Sequence, residues 1–108
     1  MTVNPMLVTA VEIRDVPSLD PILVYWNNCE PSQGYVTLVC WGCAWSCYFR
    51  AMSGKTIREF FAYADTPYLV NKLGNTQFLK QTKQHEKYLT RIVEAVKAHL
   101  AQEKEAAA

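Results

Sequence analysis

Hydrophobic residues recur with different periods in the two halves of the chain. In the first half, segments rich in β-branched and aromatic residues are separated by turn-forming residues, a pattern typical of an antiparallel meander. These segments cover residues 7–16, 22–26 and 35–52. The third is too long for one ordinary strand, so we expect Gly42 to bend or reverse the chain within it. The pattern predicts an antiparallel sheet of three to four strands.

In the second half the period lengthens to about 3.6 residues, and helix-capping residues appear. Thr56 and Glu59 have the spacing of a capping box, which predicts a helix over residues 57–63. A Thr-Pro pair and a later glycine predict a second helix over residues 66–74. The last helix is expected over residues 83–103, because apolar residues recur there at three- and four-residue steps: Leu89, Ile92, Val93, Val96 and Leu100.

Together these elements predict the α+β class, with the sheet packed against two to three helices that include a long C-terminal amphipathic helix. A chain of 108 residues has room for one hydrophobic core. Apolar residues make up 50% and charged residues 19% of the chain, which is enough apolar surface for a stable fold. We therefore expect one domain over residues 1–104 and a frayed tail over residues 105–108.

Net charge and the N-terminal residues narrow the function classes. A net charge of +1 lacks the basic excess that is typical of proteins that bind a phosphate backbone. Residues 1–5 do not resemble a signal peptide, and no apolar run approaches the roughly 20 residues that cross a bilayer. We expect a cytoplasmic protein without a membrane partner.

Four cysteines form the pattern that most resembles a metal site. Cys40, Cys43 and Cys47 follow one another closely, and Cys29 lies upstream. Four thiolates can close a tetrahedral zinc site. However, a regular strand would separate Cys43 from Cys47 by about 13 Å, which is too far for one ion. We expect the cysteines to pack as small hydrophobic residues and expect no metal or other cofactor.

Catalytic groups are sparse in this sequence. Residues 53–56, Ser-Gly-Lys-Thr, match the end of a phosphate-binding loop, but Phe49 stands where the first glycine of that motif belongs. His85 and His99 are the only histidines, and neither has a nucleophile close in sequence. We expect residues 53–56 to form a loop and a helix cap, and we expect no catalytic residue and no enzyme activity.

Four cations support one alternative function. Four cations follow one another at steps of three and four residues: Lys80, Lys83, Lys87 and Arg91. If the last helix begins before Lys80, these cations form one basic stripe on its surface. Such a stripe either faces water or binds nucleic acid. Nucleic-acid binding requires aromatic residues on the same face of the helix. We keep a small nucleic-acid-binding module as the alternative hypothesis.

Motifs within residues 40–69 carry a family resemblance. They are Cys40-Trp41-Gly42, Ala44-Trp45, Tyr48-Phe49, Ala51-Met52, Thr56-Ile57, Glu59-Phe60-Phe61 and Tyr68-Leu69. In this pattern the chain resembles small uncharacterised proteins encoded by tailed phages and prophages of enteric bacteria. The resemblance implies an accessory role in the cytoplasm of the bacterial host, such as binding and inhibiting a host enzyme or a defence complex.

Our first hypothesis is therefore an accessory protein that binds a host protein, such as a defence or nucleic-acid-processing factor, through its aromatic sheet surface or its long helix. Thirteen aromatic residues are more than a small core easily hides, and surface tyrosine and tryptophan are favoured anchors of protein interfaces. The expected contacts are Trp26, Trp41, Trp45 and Arg50. Self-association is left open.

Overall fold

The first half of the chain folds into a four-stranded antiparallel meander. The computed structural model describes residues 1–76 and 79–107. Its strands are β1 (Thr9–Ile13), β2 (Ile22–Glu30), β3 (Gln33–Cys40) and β4 (Cys43–Phe49), and they lie side by side in chain order. The predicted antiparallel sheet is confirmed.

The second strand is longer than its apolar run predicts. The ladder continues past Trp26, because Asn27 pairs with Tyr35 and Asn28 pairs with Gly34. Pairing with a neighbouring strand thus overrides the low strand propensity of asparagine. The predicted end at residue 26 is wrong, and the reversal to β3 is reduced to two residues.

The third predicted segment reverses tightly in its middle. Trp41 and Gly42 form a two-residue turn between β3 and β4, with φ angles of 51° and 77°. A turn with both central residues at positive φ matches the twist of a β-hairpin. The expected reversal at Gly42 is confirmed, and it divides one long apolar segment into two strands.

The helices are α1 (Ile57–Tyr63), α2 (Thr66–Gly74) and α3 (Lys83–Ala107). The capping box forms as predicted, since the Thr56 hydroxyl accepts from the Glu59 amide and the Glu59 carboxylate accepts from the Thr56 amide. The last helix includes residues 105–107, which we expected to fray; Ala108 lies outside the described residues. Across the described ranges, no helix is both long and apolar enough to cross a membrane.

All three helices pack on one face of the sheet and form a single core with it. Trp26 and Phe61 meet edge to face in this core, with ring centroids 5.4 Å apart. The predicted apolar residues of α3 are all buried there. The sheet contributes seven residues to the same buried cluster: Ile22, Val24, Trp26, Val36, Leu38, Cys40 and Phe49. The α+β class with a long C-terminal helix is therefore confirmed.

Candidate functional site

Within the described residues, no other element covers the face of the sheet that is turned away from the helices. Strand register places Tyr25, Thr37 and Ser46 in one cross-strand row, and Asn27, Tyr35 and Tyr48 in the next. We call the surface formed by these six residues the open face. Tyr25 and Tyr48 are each 37% exposed and Tyr35 is 43% exposed. Three tyrosine rings are therefore available to solvent on one surface.

Side chains on the open face are held by contacts with one another. The rings of Tyr35 and Tyr48 stack with centroids 4.5 Å apart and an interplanar angle of 27°. The Tyr48 hydroxyl donates to Gln33 Oε1 at 2.7 Å, and the hydroxyls of Thr37 and Ser46 share a hydrogen bond of 2.9 Å. Cross-strand contacts of this kind fix the rings in place without burying them.

The two rows of the open face contain no charged residue. The next cross-strand row is formed by Glu12, Leu23, Val39 and Ala44. Glu12 lies at its end, on the edge strand β1, and pairs with Arg14. The centre of the surface is therefore aromatic and uncharged, with an ion pair at its rim.

The predicted contact residues lie in different places. Trp26 is only 2% exposed and packs in the core, so it offers no surface to a partner, and its assignment as a contact is wrong. Trp41 is 77% exposed at the tip of the β3–β4 turn. Trp45 is half-buried against α3, where its ring meets that of Tyr88 edge to face at 6.0 Å. Arg50 is exposed just after β4.

The predicted basic stripe is broken at its start. Lys80 precedes α3, which begins at Lys83, so the four cations do not share one helix. Lys83, Lys87 and Arg91 follow at four-residue steps in α3 and are exposed. The guanidinium of Arg91 donates to the backbone oxygens of Pro17 and Ser18, at 3.4 and 3.0 Å.

Some of the predicted protein-contact residues and some of the predicted basic residues line the same grooves beside β4. Three successive grooves follow this strand on the side where α2 and α3 approach it, with volumes of about 530, 320 and 190 Å³. Trp41 opens the first groove and Arg50 lines the third. We call this surface the β4 track, and define it by Trp41, Arg50, Lys72, Lys80, Lys87 and Arg91. Lys83 does not line any of the three grooves.

Residues 1–84 match the model of Phage_phiTE_072, which is described as a phage family. The chain belongs to this phage family. The matched residues include the whole sheet, α1 and α2, so the open face and Trp41 lie within the matched part of the phage protein, whereas Lys87 and Arg91 lie beyond it. No curated protein and no solved structure matches the phage protein.

Tyr88 joins the core of the phage protein to the first groove. Its hydroxyl donates to the sulfur of the buried Cys40 at 3.3 Å. This hydrogen bond, together with partial burial, raises the pKa of Tyr88 to about 12. The hydroxyl therefore stays protonated at neutral pH and remains a donor.

The cysteines of the phage protein do not assemble. Cys40 is buried as expected, but Cys29 and Cys43 are exposed and Cys47 is half-buried. Burial raises the pKa of the Cys47 thiol, which disfavours the thiolate that binds metals. Within residues 1–76 and 79–107, no group of three or more His, Cys, Asp or Glu could hold a metal ion.

The segment that resembles a phosphate-binding loop serves the fold. The Gly54 amide donates to the Ser32 hydroxyl, and Thr56 caps α1. The Lys55 ammonium lies 4.6 Å from the centre of the Tyr63 ring. These contacts agree with the loop and helix cap that we expected.

Proposed function

We propose that this phage protein is an accessory protein that binds a host protein through its open face, in the cytoplasm of the bacterial host. Binding of this kind would inhibit or modulate a host enzyme or a defence complex. It requires no catalytic group and no cofactor. The observation that carries the proposal is the set of three exposed tyrosines on a sheet face that none of the described helices covers.

The composition of the open face supports a protein as its partner. Interface centres are depleted of charge and enriched in tyrosine, while their rims are polar. Tyr25, Tyr35 and Tyr48 fit the centre, and the Glu12–Arg14 pair fits the rim. A nucleic acid would instead require cations among the aromatic rings, and the rows of the open face contain none.

Preorganisation supports the same conclusion. The stacked pair of Tyr35 and Tyr48 is already fixed by Gln33, so little side-chain entropy would be lost when a partner covers it. Tyrosines of this kind are frequent hot spots, each worth at least about 2 kcal/mol of binding free energy.

The test compares the wild-type protein with three tyrosine variants as baits in host lysate. Tyr35→Ala and Tyr25→Ala remove rings from the open face, and Tyr63→Ala removes an exposed ring from α1 as the matched control. We expect a stoichiometric host protein to be retained by wild type and Tyr63→Ala. Its affinity for Tyr35→Ala, measured by calorimetry with the purified partner, is expected to fall by about 30-fold.

Two results would contradict the proposal. One is a partner that binds Tyr35→Ala and Tyr25→Ala as tightly as wild type, with both variants shown to be folded by circular dichroism. The other is a dimer in light scattering that Tyr35→Ala dissociates, because the open face would then be occupied by a second copy of the chain.

A further inference from the structure

We propose that the β4 track binds single-stranded nucleic acid, with bases on its aromatic side chains and phosphates on its cations. This site adjoins the open face, because Ser46 lines the second groove and Tyr48 the third. Its proposed ligand does not depend on the function proposed for that face. Three features of the molecule favour such a ligand: the succession of the grooves, the cations that line them, and the exposed position of Trp41.

The three grooves follow one another from the β3–β4 turn to the end of β4. The first two share His85 in their linings, and the second and third are lined by the neighbouring α2 residues Leu73 and Lys72. Between them they follow β4 from the turn before it to Arg50 after it. Seven strand residues span about 20 Å, which is long enough for several nucleotides.

Charge is strongly segregated along this path. Five of the eleven Lys and Arg residues line the grooves, whereas none of the described carboxylates does: the cations are Arg50, Lys72, Lys80, Lys87 and Arg91. Asp20 acts electrostatically on the nearby Tyr88 but does not line the first groove. The net charge of +1 therefore conceals a local basic surface.

Each groove combines aromatic side chains with these cations. Trp41 and Tyr88 line the first groove, Trp45 the second, and Phe60 with Tyr68 the third. Stacking on aromatic rings combined with backbone-tracking cations is the general mode of single-strand recognition. The aromatic residues required on the basic surface are thus supplied by β4 and α1–α2 rather than by α3 alone.

Trp41 is placed for stacking at some cost to the fold. It is 77% exposed, and its φ of 51° is a conformation that bulky residues rarely adopt. Asparagine followed by glycine is the favoured pair for such a turn. A tryptophan in this conformation points to a role in binding rather than in folding.

Fluorescence anisotropy with labelled oligonucleotides tests the site. The probes are a single-stranded DNA and a single-stranded RNA of about 12 nucleotides, within the roughly 4–16 that one such domain covers, and a blunt duplex of equal length. We expect both single strands, or one of them, to bind. Contact with three phosphates would make the slope of log affinity against log salt about −2.

Two variants separate binding from stability. Trp41→Asn installs the favoured turn pair, so we expect an unchanged or higher melting temperature together with about tenfold weaker single-strand binding. Lys87→Gln is expected to make the salt slope shallower by about 0.7. Lys104→Gln and Tyr63→Ala, on exposed residues outside the track, serve as controls and should bind as wild type does.

The proposal is overturned if neither single strand binds, or if binding does not weaken with salt. Equal affinity of Trp41→Asn and wild type would also overturn it. A duplex that binds as tightly as the single strands would refute the single-stranded assignment. A host protein captured through the open face would leave these outcomes unchanged, so the two proposals can fail separately.

Discussion

The two faces of the sheet carry aromatic residues for different purposes. On the covered face, Trp26 is 2% and Phe49 5% exposed, and both pack against rings from α1. On the open face, Tyr25 and Tyr35 keep more than a third of their surface in solvent. Trp26 and Tyr25 are neighbours in one strand, so alternation alone separates an aromatic residue that the core requires from one that it does not.

The largest expected difference in stability is between substitutions of these two neighbours, Trp26 and Tyr25. Trp26→Ala should reduce the free energy of unfolding by about 3–5 kcal/mol, because it leaves a cavity beneath the sheet. Tyr25→Ala should cost below about 1 kcal/mol, since only cross-strand contacts are lost. Urea denaturation with a common m-value measures both costs. If the two substitutions cost the same, the open face contributes to folding and its tyrosines are not free for a partner.

A smaller effect is expected for the coupling between two tyrosines of the open face. In a double-mutant cycle, Tyr35→Ala and Tyr48→Ala should show a coupling free energy of about 0.5–1.5 kcal/mol, because the two rings stack at 4.5 Å. The matched control is the cycle of Tyr25 and Tyr48, which lie in different rows with β3 between their strands. Its coupling should stay within about 0.5 kcal/mol. Equal coupling in both cycles would contradict a preorganised pair.

Local signals predicted most of the fold. The capping box at Thr56 and the Thr-Pro pair gave the bounds of α1 and α2, because helix ends are set by nearby side chains. Periodicity likewise identified the buried stripe of α3. The end of β2 was missed because the pairing of Asn27 and Asn28 with β3 is not visible in their own sequence.

The candidate surfaces were harder to predict. Residues 22–26 are a continuous apolar run, so no alternation indicated that Trp26 faces the core while Tyr25 faces solvent. A signal for the open face was present in β4, where Ser46 and Tyr48 alternate with apolar residues: Trp45, Cys47 and Phe49. Trp41 and Lys87 line one groove although they are distant in sequence, and local spacing carries no information on such an arrangement.

The smallest expected effect on stability is that of the Tyr88 hydroxyl, on α3 beside Trp45 of the sheet. Its pKa is raised to about 12, chiefly by the hydrogen bond to Cys40, whereas an unfolded chain has a tyrosine pKa of about 10. Between these values the unfolded state binds fewer protons, so the free energy of unfolding falls as pH rises from about 10 to about 12. The contribution of the hydroxyl is fully present below pH 10.

Tyr88→Phe removes this group while keeping the ring beside Trp45. We expect a loss of at most about 1 kcal/mol at neutral pH and a shallower decline of stability above pH 10 than in wild type. Urea denaturation across that pH range, with tyrosinate absorbance to follow ionisation, measures both. If the stabilities of wild type and Tyr88→Phe decline in parallel, the hydrogen bond to Cys40 does not hold the Tyr88 hydroxyl in its protonated form.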